Sequence, residues 1–238
     1  MSILSRERNA ESGVFGGCLF FLAVFKHMKY KIFFTIFLIF SANLGLAQFP
    51  DIKTEMDRKI KSFLEGNAFN WRDMNVPLSD GKILHDIIVE NNYKSAVEIG
   101  TSTGHSSIWI AWALSKTGGK LITIEIDKDR HLQAIANFKQ VGLLDYIDSR
   151  LGDAHKLVPA LDGKYDFVFS DADKEWYKNY FISMDPKLIP GGCFVAHNVT
   201  QRTREIREFM DHIESLDNYK TTVNRASSSG MSISYKAK

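Results

Sequence analysis

The chain has 238 residues, of which 45% are hydrophobic and 24% are charged, and its formal net charge is +2. Its first 47 residues contain five Lys or Arg against two Asp or Glu, so residues 48–238 carry a net charge of −1. This near-neutral balance gives no electrostatic support for a nucleic-acid partner, and we predict none. Residues 48–238 contain a single cysteine, Cys193, which excludes an intramolecular disulfide there.

The N-terminal segment has the pattern of a secretory signal peptide. A basic start, Met28-Lys-Tyr-Lys, is followed by the apolar run Ile32–Phe40 and then by the small residues Gly45 and Ala47. These correspond to the basic, apolar and cleavage regions of a signal peptide. The apolar run is shorter than the roughly 20 residues that a membrane-spanning helix needs. The pattern therefore predicts a leader over residues 1–47.

A second apolar stretch, Val14–Phe25, leaves the start of the leader open. Either translation begins at Met28, or both stretches form a membrane-associated leader; a buried helical hairpin is the third interpretation. A functional signal predicts an exported protein, periplasmic or secreted. An inactive or uncleaved one predicts a cytoplasmic or membrane-associated protein, with membrane contact only through the leader.

Residues 48–238 alternate regularly between strand-like and helix-like patterns. Their apolar spacing predicts helices at 51–65, 106–115, 130–141, 157–161 and 205–213. It also predicts a helix that begins at residue 79 and another that ends at residue 184. Short apolar runs predict strands at 96–99, 121–126, 146–151, 167–169 and 193–196. The turn Pro190-Gly191-Gly192 is expected to precede the last of these strands.

The end of the chain departs from this alternation. Two apolar runs, at 219–223 and 231–235, flank Ser-Ser-Ser-Gly without a helix between them, which predicts an antiparallel hairpin. The repeated strand–helix units before it predict a parallel sheet with helices on both faces. The predicted fold is therefore a doubly wound, mostly parallel, Rossmann-like α/β sheet of seven strands with a C-terminal antiparallel hairpin.

The turn after the first predicted strand is the sharpest local signal for a ligand. The strand carries Glu98 and runs into Gly100, and Gly104 precedes the next helix. Glycines let the backbone approach a ligand, and ligands in such sheets bind beyond the carboxyl ends of the strands. The spacing is not Gly-x-Gly-x-x-Gly, so it does not indicate a pyrophosphate-binding loop. A tight turn that only packs a helix on a strand is the alternative.

An acidic residue also ends the second predicted strand. Glu125 lies about 25 residues past the first turn, where a carboxylate can accept hydrogen bonds from both ribose hydroxyls of an adenosine. Asp127 is near in sequence, but it follows Glu125 by two residues and lies beyond the strand tip. A solvated acid is the alternative interpretation of either residue.

Three motifs together resemble one enzyme family over residues 75–238. They are Val97-Glu98-Ile99-Gly100-Thr101 with Gly104 and Ser106, the segment Tyr-Asp-Phe-Val-Phe-Ser-Asp-Ala-Asp-Lys at 165–174, and Pro190-Gly191-Gly192 leading to His197-Asn198-Val199. The combination is similar to the cation-dependent O-methyltransferases of the caffeoyl-CoA and catechol type. The resemblance implies the class I methyltransferase fold, S-adenosylmethionine (SAM) as methyl donor, and a homodimer.

The resemblance also implies which residues bind SAM. It assigns eight positions to the cofactor: Val76, Glu98, Gly100, Thr101, Ser106, Glu125, Ala154 and Asp171. Among them, the residues at and after the first strand are expected to hold the amino-acid part of SAM. Glu125 is expected to hold the ribose, and Ala154 to border the adenine.

By the same resemblance, Asp171, His197 and Asn198 would bind a divalent cation, and Lys174 would take or orient the proton of the acceptor hydroxyl. A cation on an oxygen lowers the pKa of a bound hydroxyl or water. The family normally has Asp at the position of His197, and imidazole suits zinc, copper, iron or nickel better than magnesium. Four interpretations are open: a softer metal, a weak magnesium site, metal-free catalysis with His197 as a base near neutral pH, or a structural histidine.

The predicted function is methyl transfer from SAM to a hydroxyl of a small, catechol-like acceptor, with Lys174 and His197 as catalytic residues. Fold alone does not fix function, and two alternatives stay open. One is a module that binds SAM or a nucleoside without turnover, and the other is an N-methyltransferase.

Overall fold

The computed structural model describes residues 49–68, 71 and 74–238, so the predicted leader at 1–47 lies outside the described residues. The α-helices of the described part are α1 (Glu55–Gly66), α2 (Leu78–Asn91), α3 (His105–Thr117), α4 (Lys128–Val141), α5 (Ala154–Leu157), α6 (Tyr177–Met184) and α7 (Arg204–Glu214). The strands are β1 (Ser95–Ile99), β2 (Lys120–Glu125), β3 (Ile147–Leu151), β4 (Tyr165–Ser170), β5 (Leu188–His197), β6 (Tyr219–Asn224) and β7 (Met231–Lys236). None of the helices described has both the length and the apolar character that a membrane span requires.

These strands form one sheet in the order β3-β2-β1-β4-β5-β7-β6. Strands β1 to β5 are parallel, whereas β7 is antiparallel to both β5 and β6. The predicted doubly wound sheet with a C-terminal hairpin is thus confirmed. Strand order reverses at β1, because β2 lies on one side of it and β4 on the other. Ligands of such sheets bind at this reversal, beyond the carboxyl ends of the strands.

Two predicted boundaries are wrong. The turn at Pro190-Gly191-Gly192 lies inside the ten-residue strand β5, because a register shift against β4 absorbs the extra residues. The helix predicted at 157–161 instead spans Ala154–Leu157. The Asp153 side chain accepts a hydrogen bond from the backbone N–H of His155, which caps the helix at its N-terminus.

Helices cover both faces of the sheet and hold its central strands in place. Val168 of β4 and Phe194 of β5 belong to the core beneath α6 and α7. Phe167 and Val195, one residue away in the same two strands, pack on the opposite face with α2 and α3. Each fully buried phenylalanine contributes roughly 2–3 kcal/mol relative to an exposed one. This two-sided burial fixes the strand tips, and therefore the side chains that project from them.

A buried polar cluster joins α1 to α3. Trp112 donates its indole N–H to Asp57 Oδ1 at 2.6 Å, and Lys116 Nζ donates to the same oxygen at 2.8 Å. The other oxygen, Asp57 Oδ2, accepts the backbone N–H of Thr54 at the start of α1. A buried carboxylate of this kind is stable only when hydrogen bonds or charges compensate its lost hydration, and here both are present.

Candidate active site

A cavity of about 340 Å³ opens beyond the carboxyl ends of β1, β2 and β4. This volume lies in the range of small-molecule sites, roughly 300–1,000 Å³. Four residues predicted to bind the cofactor line it: Gly100, Glu125, Ala154 and Asp171. The cavity therefore lies where the sheet topology places a ligand.

Gly100 brings the loop after β1 against the loop after β4. Its φ is +99°, and a Cβ at this position would lie 2.9 Å from the carbonyl oxygen of Asp171. Side chains rarely adopt this backbone conformation, and the space for one is already filled by backbone. Only glycine fits here without displacing the wall of the cavity.

Glu98, the penultimate residue of β1, is fully buried. Its Oε2 accepts hydrogen bonds from the hydroxyls of Ser107 and Thr123, the latter at 2.6 Å. Its other oxygen, Oε1, has no hydrogen-bond partner among the residues described. Burial raises the pKa of Glu98 to about 7, although the surrounding hydroxyls oppose the shift. A buried carboxyl oxygen without a partner is a specific place for a donor from a ligand.

Three further predicted cofactor residues are buried and do not line the cavity. Thr101 Oγ1 lies 2.5 Å from Thr123 Oγ1, which in turn donates to Glu98. Ser106 is buried near the Glu98 carboxyl, where its hydroxyl lowers the glutamate pKa. Val76 is buried in the core with α2 and α3. The structure therefore places Thr101 and Ser106 around Glu98, and Val76 on the opposite face of the sheet from α6 and α7.

Glu125 is anchored at the tip of β2 by two backbone groups. Its Oε2 accepts the N–H of Ser102 at 2.6 Å, and its Oε1 accepts the N–H of Asp127 at 2.9 Å. Each carboxylate oxygen has further lone pairs, so Glu125 can still accept hydroxyl donors from a ligand in the cavity. Asp127 instead caps α4, accepting the N–H groups of Asp129 and Arg130. Glu125 therefore lines the cavity, whereas Asp127 caps a helix.

The cavity is also lined by three side chains that the sequence did not single out, His155, Arg130 and Tyr180. His155, in the first turn of α5, stacks on Trp176 with ring centroids 3.8 Å apart. Its Nε2 lies 3.2 Å from Asp173 Oδ2. For His155, one signal in the sequence was available: it directly follows Ala154, the residue predicted to border the adenine.

His197, at the end of β5, lies between two carboxylates. Its Nδ1 is 3.1 Å from Asp171 Oδ2, and its Nε2 is 2.8 Å from Asp80 Oδ2. Lys174 Nζ donates to the second oxygen of Asp171 at 2.9 Å. Burial opposes a charged ring, but the hydrogen bonds with Asp171 and Asp80 outweigh it and raise the pKa of His197 to about 9. A ring protonated at neutral pH has no lone pair to accept a proton, which does not favour its interpretation as a base.

Asp80 is the residue of this cluster that sequence reasoning missed. It lies in the first turn of α2 and is 1% exposed. Besides His197, its Oδ2 accepts the hydroxyl of Ser227 at 2.6 Å, and its Oδ1 accepts that of Ser79 at 3.1 Å. Burial raises the pKa of Asp80, but these hydrogen bonds, above all that with His197, bring it below its usual value. The cluster thereby connects α2, β5 and the loop between β6 and β7.

The donor set at this position does not fit a divalent cation. Both oxygens of Asp171 face cationic donors, and both ring nitrogens of His197 face carboxylates. Asn198, the third predicted ligand, directly follows β5 with a φ of +59°. Among the residues described, no three His, Cys, Asp or Glu side chains are grouped so that they could hold a metal ion.

Comparison with known proteins agrees with this architecture. Residues 54–215 match the family described as O-methyltransferase. The chain is 34% identical over 139 residues to a catechol O-methyltransferase of Niastella koreensis, covering 57% of this chain and 62% of that protein. It is also 34% identical over 133 residues to caffeoyl-CoA O-methyltransferase 1 of Eucalyptus globulus, covering 54% of each. The matches thus span a little over half the length of these curated relatives.

Solved structures share the fold. One is an O-methyltransferase of Streptomyces achromogenes involved in tomaymycin synthesis, in complex with SAM, at 24% identity and a TM-score of 0.67 over 86% of this chain and 96% of that chain. Another is an O-methyltransferase of Bacillus cereus in complex with S-adenosylhomocysteine (SAH), at 24% identity and a TM-score of 0.68 over 85% and 97%. Because the family match covers more than half of its residues, this chain belongs to the O-methyltransferase family.

Proposed function

We propose that this protein transfers a methyl group from SAM to a hydroxyl of a small, catechol-like molecule. The observation that carries the proposal is a pair of carboxyl groups at neighbouring strand tips. Glu98 is fully buried with one oxygen unpartnered in the described structure, and Glu125 lines the cavity, anchored by two backbone N–H groups. The family and the two named relatives support the same chemistry.

The residues around the cavity suit the parts of SAM. Glu98 would accept a hydrogen bond from the ammonium group of the methionine part at its Oε1, the oxygen that has no donor among the residues described. Glu125 would accept the ribose hydroxyls, and Ala154 would border the adenine with His155 beside it. Because Gly100 has no side chain, the space between these groups stays open to the part of SAM that joins the methionine to the ribose.

In the proposed reaction, SAM supplies a methyl group on a positively charged sulfur. The acceptor oxygen forms a bond to this carbon, the carbon–sulfur bond breaks with its electron pair going to sulfur, and the acceptor loses its hydroxyl proton. Such a displacement depends mainly on alignment and on control of charge. Lys174, whose ammonium donates to the cavity-lining Asp171, is the residue we assign to orienting the acceptor oxygen and to lowering the pKa of its hydroxyl by positive charge, and the proton is released to water.

The test is transfer of a tritiated methyl group by the full chain, with catechol, caffeate and a primary amine as acceptors, beside calorimetric titration with SAH. We expect SAH binding, label on the hydroxyl acceptors and none on the amine. Glu125→Gln should weaken SAH binding about tenfold or more, since it removes one charged acceptor. Glu65→Gln, an exposed change on α1, is the matched control and should bind as the wild type does. Binding without any product would instead favour the non-catalytic module, and label on the amine would favour N-methylation.

We also propose that the leader exports the protein and is removed after Ala47. The basis is the residue pattern of 1–47 alone. Cell fractionation with intact-mass measurement tests it: a mature chain starting at Gln48 supports export, and a chain retaining Met1 or Met28 in the cytosol contradicts it. SAM is made in the cytosol, so export would also require a route that supplies the donor outside it.

A homodimer is a further proposal, based on the family resemblance. Sedimentation equilibrium of the purified chain tests it directly. We expect a mass of twice 27.1 kDa, or twice the mass of the processed chain. A monomer at every concentration examined would contradict the proposal.

A further inference from the structure

We propose that Asp80 and His197 replace the divalent cation in this protein, so that the site at the ends of β4 and β5 works without a metal ion. The inference rests on the proposed function, because it concerns how the same site controls its charge. It follows from the geometry of four side chains: Asp80, Asp171, Lys174 and His197.

The ring of His197 is held in a position that prevents its use as a ligand. A metal-bound imidazole directs the lone pair of one nitrogen at the ion and donates from the other. Here each nitrogen is directed at a carboxylate, Asp171 at 3.1 Å and Asp80 at 2.8 Å. To bind an ion, the ring would have to release one carboxylate, and both Asp80 and His197 are almost completely buried. A released Asp80 would be buried without a cationic partner, held only by the hydroxyls of Ser79 and Ser227, which is strongly unfavourable.

The charges of the cluster already balance. Two carboxylates, Asp80 and Asp171, face Lys174 and His197; because both ring nitrogens of His197 contact carboxylates, which only accept, both must carry a hydrogen and the ring is cationic. A divalent cation placed here would add two positive charges within a few ångströms of Lys174 and His197. The site would then have four positive charges against two negative ones in a buried setting, where such repulsion is poorly screened.

The ring also has a definite task in a site without metal. By bonding Asp171 Oδ2, it fixes the carboxylate whose other oxygen holds Lys174 Nζ. Asp80, held in turn by Ser227, fixes the far side of the ring. Asp80 and His197 are thus positioning residues that act on the acceptor through Asp171 and Lys174. The positive charge beside the acceptor oxygen, which a cation would supply, comes instead from Lys174.

Metal binding is measured first, because it does not depend on turnover. The full chain, freed of metals by chelation and saturated with SAH, is titrated with Mn²⁺ by electron paramagnetic resonance and with Mg²⁺ and Zn²⁺ by calorimetry. We expect no stoichiometric binding below about 1 mM, the weak end of oxygen-ligand cation sites. One bound ion per chain that is lost in Asp171→Asn would overturn the proposal.

A variant that gains metal binding provides the second part of the test. His197→Asp removes the ring and supplies an oxygen ligand, so we expect it to bind one Mn²⁺ per chain. If this variant does not fold, His197→Asp combined with Asp80→Asn lowers the repulsion between carboxylates and serves the same purpose. His212→Asp, a matched change on α7, should bind no ion. A folded His197→Asp that binds no better than the wild type would contradict the idea that the ring excludes the cation.

Turnover separates this inference from the proposed function. We expect methyl transfer to catechol to change less than about twofold in excess EDTA, whereas a real cation requirement would abolish it. Asp80→Asn should lower kcat at least about tenfold while leaving the KM for SAM within about twofold, since it disturbs the acceptor side only. Loss of turnover in EDTA that Mg²⁺ restores would overturn the inference. SAH binding without turnover on any acceptor would refute the proposed function, and the metal titrations would still decide the inference.

Discussion

His197 Nε2 lies 2.8 Å from Asp80 Oδ2, although 117 positions of the chain separate the two residues. The contact joins the first turn of α2 to the end of β5 at the edge of the candidate active site. Both side chains are almost fully buried, at 3% and 1% exposure, so neither can exchange its partner for water. His197, at a strand end where the resemblance predicts Asp, is therefore accompanied in this protein by a carboxylate from another element.

Removing that carboxylate is expected to destabilise the fold. Asp80→Ala leaves the Nε2 of His197 buried without a partner, which should lower the free energy of unfolding by about 3 kcal/mol. Urea denaturation at pH 7 followed by circular dichroism measures the effect. Glu90→Gln, an exposed change on the same helix, should stay within about 0.5 kcal/mol of the wild type. Equal stabilities for Asp80→Ala and Glu90→Gln would show that the contact does not contribute.

The Asp57 cluster predicts a loss of stability in acid. Burial raises the pKa of Asp57, but hydrogen bonds from Lys116 and Trp112 outweigh it and hold the pKa below the ordinary value of 3.8. A lowered carboxyl pKa stabilises the fold above pH 3.8, and this contribution is lost as the pH falls below that value. Asp57→Asn should therefore be about 2 kcal/mol less stable at pH 7, with the difference from the wild type shrinking in acid. Glu55→Gln, exposed on the same helix, should show no such trend, and a constant difference for Asp57→Asn would contradict the assignment.

Much of the fold was predictable because its signals are local. Apolar periodicity and the Ser-Ser-Ser-Gly segment are read within about ten residues, and they gave the correct sheet and hairpin. Glu125 was distinguished from Asp127 by its position relative to the strand tip, which alternation along the strand determines. The boundaries of β5 were not predictable in this way, because a register shift against β4 decides whether Pro190-Gly191-Gly192 turns or extends.

The candidate site was less predictable because its charge pairs are formed by tertiary contacts. The presence of Asp80 is explained by its own helix, since an acid in the first turn of a helix is stabilised by the helix dipole. Nothing within α2 indicates that this acid faces His197. The one available signal was indirect: a histidine stands where the resemblance predicts a carboxylate, and a buried histidine there requires some compensating partner.

Gly100 should tolerate no side chain. Gly100→Ala combines a φ of +99° with a Cβ 2.9 Å from the Asp171 carbonyl oxygen, so the loops after β1 and β4 must separate. Gly118→Ala is the matched control, because its φ of +78° carries the same backbone strain but its Cβ would meet nothing within 4 Å. We expect Gly118→Ala to cost about 1 kcal/mol with SAH affinity unchanged. Gly100→Ala should cost more and weaken SAH binding about tenfold or more by calorimetry; equal behaviour of the two variants would show that the close approach is unimportant.

Glu98 predicts that cofactor binding releases a proton. Burial raises the pKa of Glu98 from 4.5 to about 7 in the free protein, so the free fold binds a proton that the unfolded chain has lost, and its stability falls as pH rises from 4.5 to 7. Pairing with the ammonium of SAH favours the ionised form of Glu98, so SAH binding below pH 7 must release the proton from the Glu98 carboxyl group. SAH affinity should therefore fall about tenfold for each pH unit below 7 and level off above it. Calorimetry in two buffers of different ionisation enthalpy measures the proton released. Glu98→Gln should bind weakly and without pH dependence, whereas an unaltered pH profile in this variant would place the ammonium elsewhere.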